Sequence, residues 1–150
     1  MRIEVEISED VTEPEITIKC REKTVVVDRL VAALQMIDRQ IMVSCEGSIT
    51  PLGLGEILYI ESVDGKSFVY TKEKIYESSC KLYELEERLE AYMFVRISKS
   101  AIVNLEHIKS MKTWLDRRLF ITMENGEQLI ASRQYAGGIK KLLGVQGKGT

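Results

Sequence analysis

The stretch Phe94–Asn104, FVRISKSAIVN, places a polar insert between two apolar groups. The polar residues of the insert are cationic or carry hydroxyls: Arg96, Ser98, Lys99 and Ser100. A polar loop that is anchored at both ends by buried side chains suits a contact loop on a rigid scaffold. The alternative interpretation is a strand, a turn and a half-buried segment whose charged residues are merely solvated.

Length and composition indicate an ordinary globular protein. A chain of 150 residues favours one domain, with room for a small appendage. No apolar run approaches the 18 or more residues that a membrane-spanning helix needs. The first ten residues, MRIEVEISED, are charged throughout and lack the apolar core of a signal peptide. We therefore predict a cytoplasmic protein.

The residue types for catalysis or metal binding are sparse. Cys20, Cys45 and Cys80 are far apart, and His107 is the only histidine, so no metal-ligand spacing exists. No glycine-rich phosphate loop or nucleophile motif is present. We expect no enzyme activity, no metal and no cofactor, and we expect the cysteines to be buried, reduced thiols.

Charge is distributed unevenly along the chain. Residues 1–45 carry a net charge of −3 and residues 46–93 carry −5. Residues 94–150 hold ten Lys and Arg against four Asp and Glu, a net charge of +6. A positive final third beside an acidic remainder suits a protein that meets a polyanion with one face. Chance partition of charge is the alternative.

The N-terminal residues 1–45 predict a short β-β-α unit. IEVEI at 3–7 and ITIKC at 16–20 alternate between apolar and polar residues, as strands with one wet face do. Asp28 is a suitable N-cap for a helix that runs to about Arg39. Two strands and a helix cannot close a core alone, so we expect this unit to serve dimerisation or a regulatory contact.

Residues 46–144 predict a second, mainly β domain, and residues 145–150 predict a flexible tail. Asp64-Gly65 and Asn125-Gly126 are hairpin signals, and Ser79 and Ser132 are candidate caps for helices over 80–90 and 133–143. The predicted strands of the chain after residue 40 are 41–45, 49–52, 57–62, 67–71, 74–78, 108–115, 119–123 and 128–131.

Three polar sites lie next to these structural features. They are the hairpin tip 63–67, the insert Ser98–Ser100, and Ser132–Gln134 at the start of the last helix. A helix N-terminus presents free N–H groups that suit a phosphate, and the planar fork of Arg133 suits a phosphate or a guanine edge. Each site alone is also explained as a charged turn.

The combination of these motifs resembles the LytTR family of bacterial DNA-binding domains. The resemblance covers about residues 47–143 and is carried by five segments in order: LYIES at 58–62 before the DG turn, LxxLExxL at 82–89, FVRISKSAIVNLEHI at 94–108, the NG hairpin, and SRQY at 132–135. It implies an α+β, mainly β fold of small antiparallel sheets that is elongated and has few helices. It also implies loops that enter successive major grooves of a bent duplex.

The resemblance implies roles for individual residues. Base-reading positions fall on the 64–67 turn, on Ser98-Lys99 and on Arg133, while Arg96 and Ser100 match positions that face the DNA backbone or fix the loop. The family often has a histidine where Ser98 stands, and base preference is expected to differ there. The full set of predicted DNA-binding residues is Lys66, Ser67, Arg96, Ser98, Lys99, Ser100, Arg133 and Gln134.

We therefore predict a sequence-specific transcriptional regulator that binds double-stranded DNA as a homodimer on paired repeats. The first 39 residues lack the acidic pocket and lysine of a receiver domain, a layout that resembles stand-alone LytTR regulators. Some of those are held inactive by a membrane-bound partner protein, which is a possible partner here. The alternative prediction is a non-enzymatic protein-interaction module that uses the same β scaffold.

Overall fold

The computed structural model of the chain describes residues 1–144, so the predicted tail at 145–150 lies outside the described residues. Two compact units are present, Met1–Asp38 and Arg39–Thr150. The helices are α1 (Val25–Asp38), α2 (Leu82–Leu89) and α3 (Arg133–Leu142). The strands are β1 (Gln40–Cys45), β2 (Ser48–Gly53), β3 (Ile57–Val63), β4 (Lys66–Thr71), β5 (Ile75–Ser78), β6 (Phe94–Ser98), β7 (Ala101–Asn104), β8 (Ile108–Thr113), β9 (Leu119–Met123) and β10 (Gln128–Ala131).

Helix α1 is the regular element of the first unit. It begins three residues before the predicted cap Asp28, because Thr24 satisfies the first turn. The Thr24 hydroxyl accepts from the Val27 N–H at 3.4 Å, and the Thr24 carbonyl accepts from the Asp28 N–H at 3.0 Å. None of the helix residues is buried.

The two strands predicted at 3–7 and 16–20 are wrong, because residues 1–24 form no strand. Ile3, Ile7 and Ile16 are 82%, 96% and 70% exposed. Alternating residues give a strand one apolar face, but a strand also needs a neighbour for its backbone hydrogen bonds, and none is paired with these segments. The strand predicted at 41–45 forms as β1 in the second unit, so the first unit ends at Asp38 and not at residue 45.

The second unit contains two antiparallel sheets. A seven-stranded sheet has the order β2-β1-β5-β4-β3-β7-β6, and a three-stranded sheet has the order β10-β9-β8. The predicted meander of three strands is confirmed, since β3, β4 and β5 are neighbours. Pro51 does not interrupt β2, because β2 is an edge strand and one of its sides makes no ladder hydrogen bonds. The predicted mainly β fold is therefore confirmed.

The seven-stranded sheet has apolar residues on both faces. Ile60 pairs with Val69 and Ile102 on one face, and these three belong to a cluster that includes the apolar side of α2. Their neighbours Tyr59, Tyr70 and Val103 face the other way and join the cluster of the three-stranded sheet and α3. The central strands thus sit between two hydrophobic cores, which fixes their register strongly.

Local signals set the DG turn, while the start of α2 and the capping of α3, like the start of α1, differ from the predictions. Asp64 and Gly65 have φ of 51° and 78°, so the DG hairpin forms as predicted. Helix α2 begins at Leu82 and not at Cys80, because the Glu84 carboxylate accepts from the Lys81 N–H at 2.9 Å. Ser132 occupies the cap position of α3, but its hydroxyl makes no capping hydrogen bond.

The cysteines are free, but the prediction that they are buried is wrong. Cys20 and Cys80 are exposed, while Cys45 is half-buried. Each of the two exposed cysteines lies in a connecting segment outside the cores. Within residues 1–144, no helix is long and apolar enough to cross a membrane.

Candidate nucleic-acid interface

Two hairpin tips meet at one end of the seven-stranded sheet. Strand β3 ends at the Asp64-Gly65 turn, and β7 begins beside it because Glu61 pairs with Ala101. The Ser62 N–H donates to the Ser100 carbonyl at 2.7 Å, which ties the flank of one tip to the other. Lys66 and Lys99 are both exposed there.

The start of α3 joins the same end. The Ser132 N–H donates to the Ile97 carbonyl at 2.9 Å, so the first turn of the helix lies against the end of β6. Arg133 and Gln134 are exposed, and this turn contains no acidic residue. We call the three segments Asp64–Lys66, Ser98–Ser100 and Ser132–Gln134 the loop cluster. Sequence alone could name these segments but could not bring them together.

Arg96 holds the Ser98–Ser100 turn in shape. Its Nε donates to the Ser98 carbonyl at 2.6 Å, its Nη2 to the Lys99 carbonyl at 2.5 Å and its Nη1 to the Glu86 carboxylate at 2.9 Å. Only 16% of its side chain is exposed. The resemblance left two roles open for Arg96, which were facing the DNA backbone and fixing the loop. The structure agrees with the second role.

Ser98 takes part in the same turn. Its Oγ accepts from the Ser100 N–H at 3.2 Å and lies 3.4 Å from the Ser100 hydroxyl. A β-bulge between Arg96 and Ser98 changes the direction of the strand just before the tip. The short serine side chain is thus engaged within the turn, and the exposed residues of this segment are Lys99 and Ser100.

Ser67 is a correction to the predicted contact set. It is 2% exposed, and its hydroxyl donates to the Cys80 carbonyl at 2.8 Å. The residue pairs with Ser62 in the ladder, so its side chain turns into the space beside the segment that precedes α2. A buried hydroxyl that already has an acceptor holds the chain together and does not present itself to a ligand.

A further turn, Trp114–Arg118 between β8 and β9, lies at the end of the three-stranded sheet where α3 starts. Leu119 pairs with both Thr113 and Ala131, so the turn sits beside Ser132. The backbone N–H of Arg118 is the main cause of a lowered pKa of the Asp116 carboxyl, and the charge of Arg133 also contributes. In the sequence, residues 116–118 were only the gap between the predicted strands 108–115 and 119–123, although two adjacent arginines were visible there.

The opposite ends of these sheets carry acidic groups. Burial, with help from the charge of Glu127, raises the pKa of Tyr59 near the start of β3 to about 12. Tyr59 stacks on Tyr70 at 4.3 Å between ring centroids, and the Tyr70 hydroxyl donates to Glu61 at 3.2 Å. Glu124 and Glu127 thus lie away from the end that holds the loop cluster.

His107 also lies at the acidic end and is not a catalytic base in this arrangement. Its Nδ1 is 2.8 Å from the Glu124 carboxylate, and its Nε2 is 2.5 Å from the Gly55 carbonyl. Partial burial opposes a charge on the ring, but the hydrogen bonds to Glu124 and Gly55 outweigh it and raise the pKa of His107. Both ring nitrogens face acceptors, which is the environment of an imidazolium that joins three segments.

The fold and the cationic end define a class of protein: a mainly β domain that presents loops, and no recognition helix-turn-helix, to a polyanion. Residues 47–144 match the family model described as LytTr DNA-binding domain. The chain belongs to the LytTR family. The predicted family is therefore confirmed, and the domain it defines is a DNA-binding domain.

Relatives of known name support the same assignment. The sensory transduction protein LytT of Bacillus cereus is 34% identical over 100 residues, which cover 67% of this chain and 41% of that protein. The transcriptional regulatory protein LytR of Staphylococcus aureus is 27% identical over 108 residues, covering 72% and 44%. The chain thus spans about two fifths of the length of these relatives. A solved LytTr DNA-binding domain from Bacillus cereus superimposes with a TM-score of 0.67 at 29% identity, covering 71% of this chain and 97% of that one.

Proposed function

We propose that this chain regulates transcription by reading duplex DNA with its loop cluster. The observation that carries the proposal is the joining of three separate segments, each with one exposed cation (Lys66, Lys99 and Arg133), at one end of the fold. Two backbone hydrogen bonds, Ser62 to Ser100 and Ser132 to Ile97, make that connection. Rigid strands hold the loops in place, and the side chains at the tips of such loops suit contact with a regular surface such as a duplex.

The exposed members of the cluster divide into base-reading and backbone-binding groups. Arg133 has a planar fork that fits the O6 and N7 acceptors of guanine in the major groove. Lys66 and Lys99 carry point charges that suit phosphates or guanine edges, and Ser100 and Gln134 supply hydrogen bonds to the sugar-phosphate backbone. Arg96 acts on DNA through the turn that it holds.

The protein is further proposed to act as a homodimer on paired repeats in the cytoplasm, where its DNA partner is found. The supporting observation is the first unit, in which none of the α1 residues is buried and several apolar side chains are open to solvent. A second copy would cover those side chains. Two linked DNA-binding units then raise the effective concentration of each at its repeat.

The alternative function is a non-enzymatic protein-interaction module. The same exposed first unit favours it, with a membrane-bound inhibitory protein as one candidate partner. The two functions differ in their response to salt, because an interaction module with a net charge of −2 has no reason to bind duplex DNA through counterion release.

The decisive experiment measures the affinity for a duplex against salt concentration, using a site selected from a random pool. Three to six phosphate contacts predict a log–log slope of about −3 to −5. Arg133→Ala is expected to cost about 1–3 kcal/mol on the selected site and to relax one position of the sequence.

Arg133→Lys is the matched variant, because it keeps the charge and removes the fork. If Arg133 reads a base, lysine restores affinity for scrambled duplex but not the preference for the selected site. If Arg133→Ala lost the same affinity for both duplexes and Arg133→Lys restored it, Arg133 would be assigned to a phosphate contact. A flat salt dependence of the wild-type protein would refute DNA binding by this cluster.

A further inference from the structure

The turn Trp114–Arg118 has two cations, Arg117 and Arg118, and one carboxylate, Asp116, and Lys112 of β8 adds a third cation beside it. Arg118 is held in place: its backbone N–H and its Nε donate to the two oxygens of Asp116 at 3.1 Å and 2.6 Å. Its guanidinium lies 5.5 Å from the centre of the Phe120 ring. Arg117 and Lys112 are exposed beside it. The turn with Lys112 therefore has an excess of positive charge and an ordered arrangement.

Aromatic side chains lie beside these cations, and Trp114 itself is 48% exposed. Trp114 packs on Phe120 with 5.0 Å between ring centroids, and the Lys112 ammonium lies 6.0 Å from the Trp114 ring. The rings are thus engaged by each other and by Lys112 and Arg118. The exposed charges of Lys112, Arg117 and Arg118 suit phosphate groups of a nucleic-acid backbone.

Arg117 adopts a left-handed backbone conformation, with φ of 69°. A non-glycine residue in this region costs about 1–2 kcal/mol, and glycine avoids most of that cost. Its N–H donates to the Trp114 carbonyl at 3.0 Å, which closes the turn without any need for the arginine side chain. Arg117 thus places a long cationic side chain at a strained backbone position. This observation indicates that the cation has a function.

The turn is also continuous with the loop cluster. Leu119 pairs with Ala131, the residue before Ser132, so the turn lies next to the start of α3 and to Arg133. The acidic Glu124 and Glu127 belong to the hairpin at the other end of the same sheet. A duplex held by Arg133 would bring its phosphates towards this cationic end and away from the acidic one.

We propose that the turn Trp114–Arg118, together with Lys112, is an additional DNA contact that binds phosphates of the duplex beside the site of Arg133. This inference rests on the proposed function of the loop cluster. The turn carries affinity and not sequence preference, since backbone contacts position a protein on DNA and base contacts specify the sequence. Arg117 is the residue expected to contribute most, because its charge is not shared with Asp116 by any hydrogen bond of the turn.

The test uses Arg117→Gly in the full chain, because glycine removes the cation and relieves the left-handed strain. The free energy of unfolding should stay the same or rise. Affinity should fall severalfold and equally for the selected and the scrambled duplex, with a log–log salt slope shallower by about one unit. Lys112→Ala should act in the same direction.

Lys72→Ala is the control, an exposed lysine in the turn after β4 at the far end of the seven-stranded sheet from Lys66. It should leave both affinity and slope unchanged.

Unchanged binding by Arg117→Gly and Lys112→Ala would overturn the inference, as would a loss confined to the selected duplex, which would indicate base reading. If those variants bind like wild type while Arg133→Ala loses preference, the loop-cluster proposal survives alone. If wild-type protein shows no salt-dependent binding, the proposed function itself fails.

Discussion

Arg96 holds the Ser98–Ser100 turn from inside the protein. Three of its donors are used inside the protein, on the carbonyls of Ser98 and Lys99 and on the Glu86 carboxylate. Those carbonyls lie where β6 ends and the tip turns into β7. The guanidinium therefore fixes the backbone from which the Lys99 side chain extends, and its planar fork suits this task better than a lysine would.

Replacing Arg96 with alanine should loosen the turn. Hydrogen bonds from a charged donor are each worth about 1.5–3 kcal/mol, and partial exposure reduces that value, so we expect a loss of about 1–3 kcal/mol in the free energy of unfolding. DNA affinity should fall because the turn must be ordered on binding, while the slope of affinity against salt should not change. Urea unfolding and titrations at several salt concentrations measure both.

Arg88→Ala is the matched control for this prediction. The Arg88 Nη2 donates to the Gln40 carbonyl at 2.6 Å, outside the loop cluster. Its loss should lower stability and leave affinity alone. A shallower salt slope for Arg96→Ala would show instead that Arg96 touches a phosphate.

At the scale of elements, His107 connects parts of the fold that are distant in sequence. It follows β7 in a short helical turn, and its ring bridges the Glu124 carboxylate after β9 and the Gly55 carbonyl before β3. The ring thus links the two sheets at the end away from the loop cluster. The link is strongest when both ring nitrogens carry protons.

This link predicts a pH dependence of stability. Because the pKa of His107 is raised in the folded protein, its contribution is fully present below the unfolded pKa of about 6.5 and is lost as pH rises through the folded pKa. We expect the urea midpoint of wild type to fall over that interval relative to His107→Gln. The chain has one histidine, so the difference between the two proteins isolates this group. Parallel pH profiles would contradict the assignment.

Local sequence signals predicted the hairpins and helices well, and long-range pairing limited the rest. Asp64-Gly65 needs only its own backbone to favour a turn, so β3 and β4 were placed within one or two residues. The segment 3–7 has equally good alternation but has no strand partner. Ser67 was assigned to the exposed tip, yet the strand register and the nearby Cys80 carbonyl bury it. The local sequence pattern indicates which element a segment can form. Contacts with other segments decide whether that element forms and which of its side chains are buried.

At the scale of the whole molecule, the first unit is unlike the second. Apolar residues of α1 remain open to solvent, with Met36 and Ile37 both 65% exposed. The second unit by contrast has two buried clusters. A unit that leaves its apolar side chains uncovered has more to gain from association than a unit with its own core.

We expect Met36→Gln combined with Ile37→Gln to shift the full chain towards monomer. Sedimentation across a range of protein concentrations measures the shift, with Lys19→Gln as an exposed control in the same unit. Binding to a single repeat should persist, while the added affinity for a paired repeat should drop. A dimer that survives the double substitution would place self-association elsewhere, and a monomeric wild-type protein would favour a partner protein for this unit.

The two-sided core of the seven-stranded sheet has a consequence for how this family can change. Shifting β3 by one residue would exchange Ile60 with Tyr59 and damage both cores at once, so the scaffold tolerates little drift in its central strands. Tip residues such as Lys66 and Lys99 are not under this packing constraint, because they belong to neither core. Under the proposed function, new preferences for DNA sequence can therefore arise by exchange of tip residues alone, while the backbone stays nearly the same.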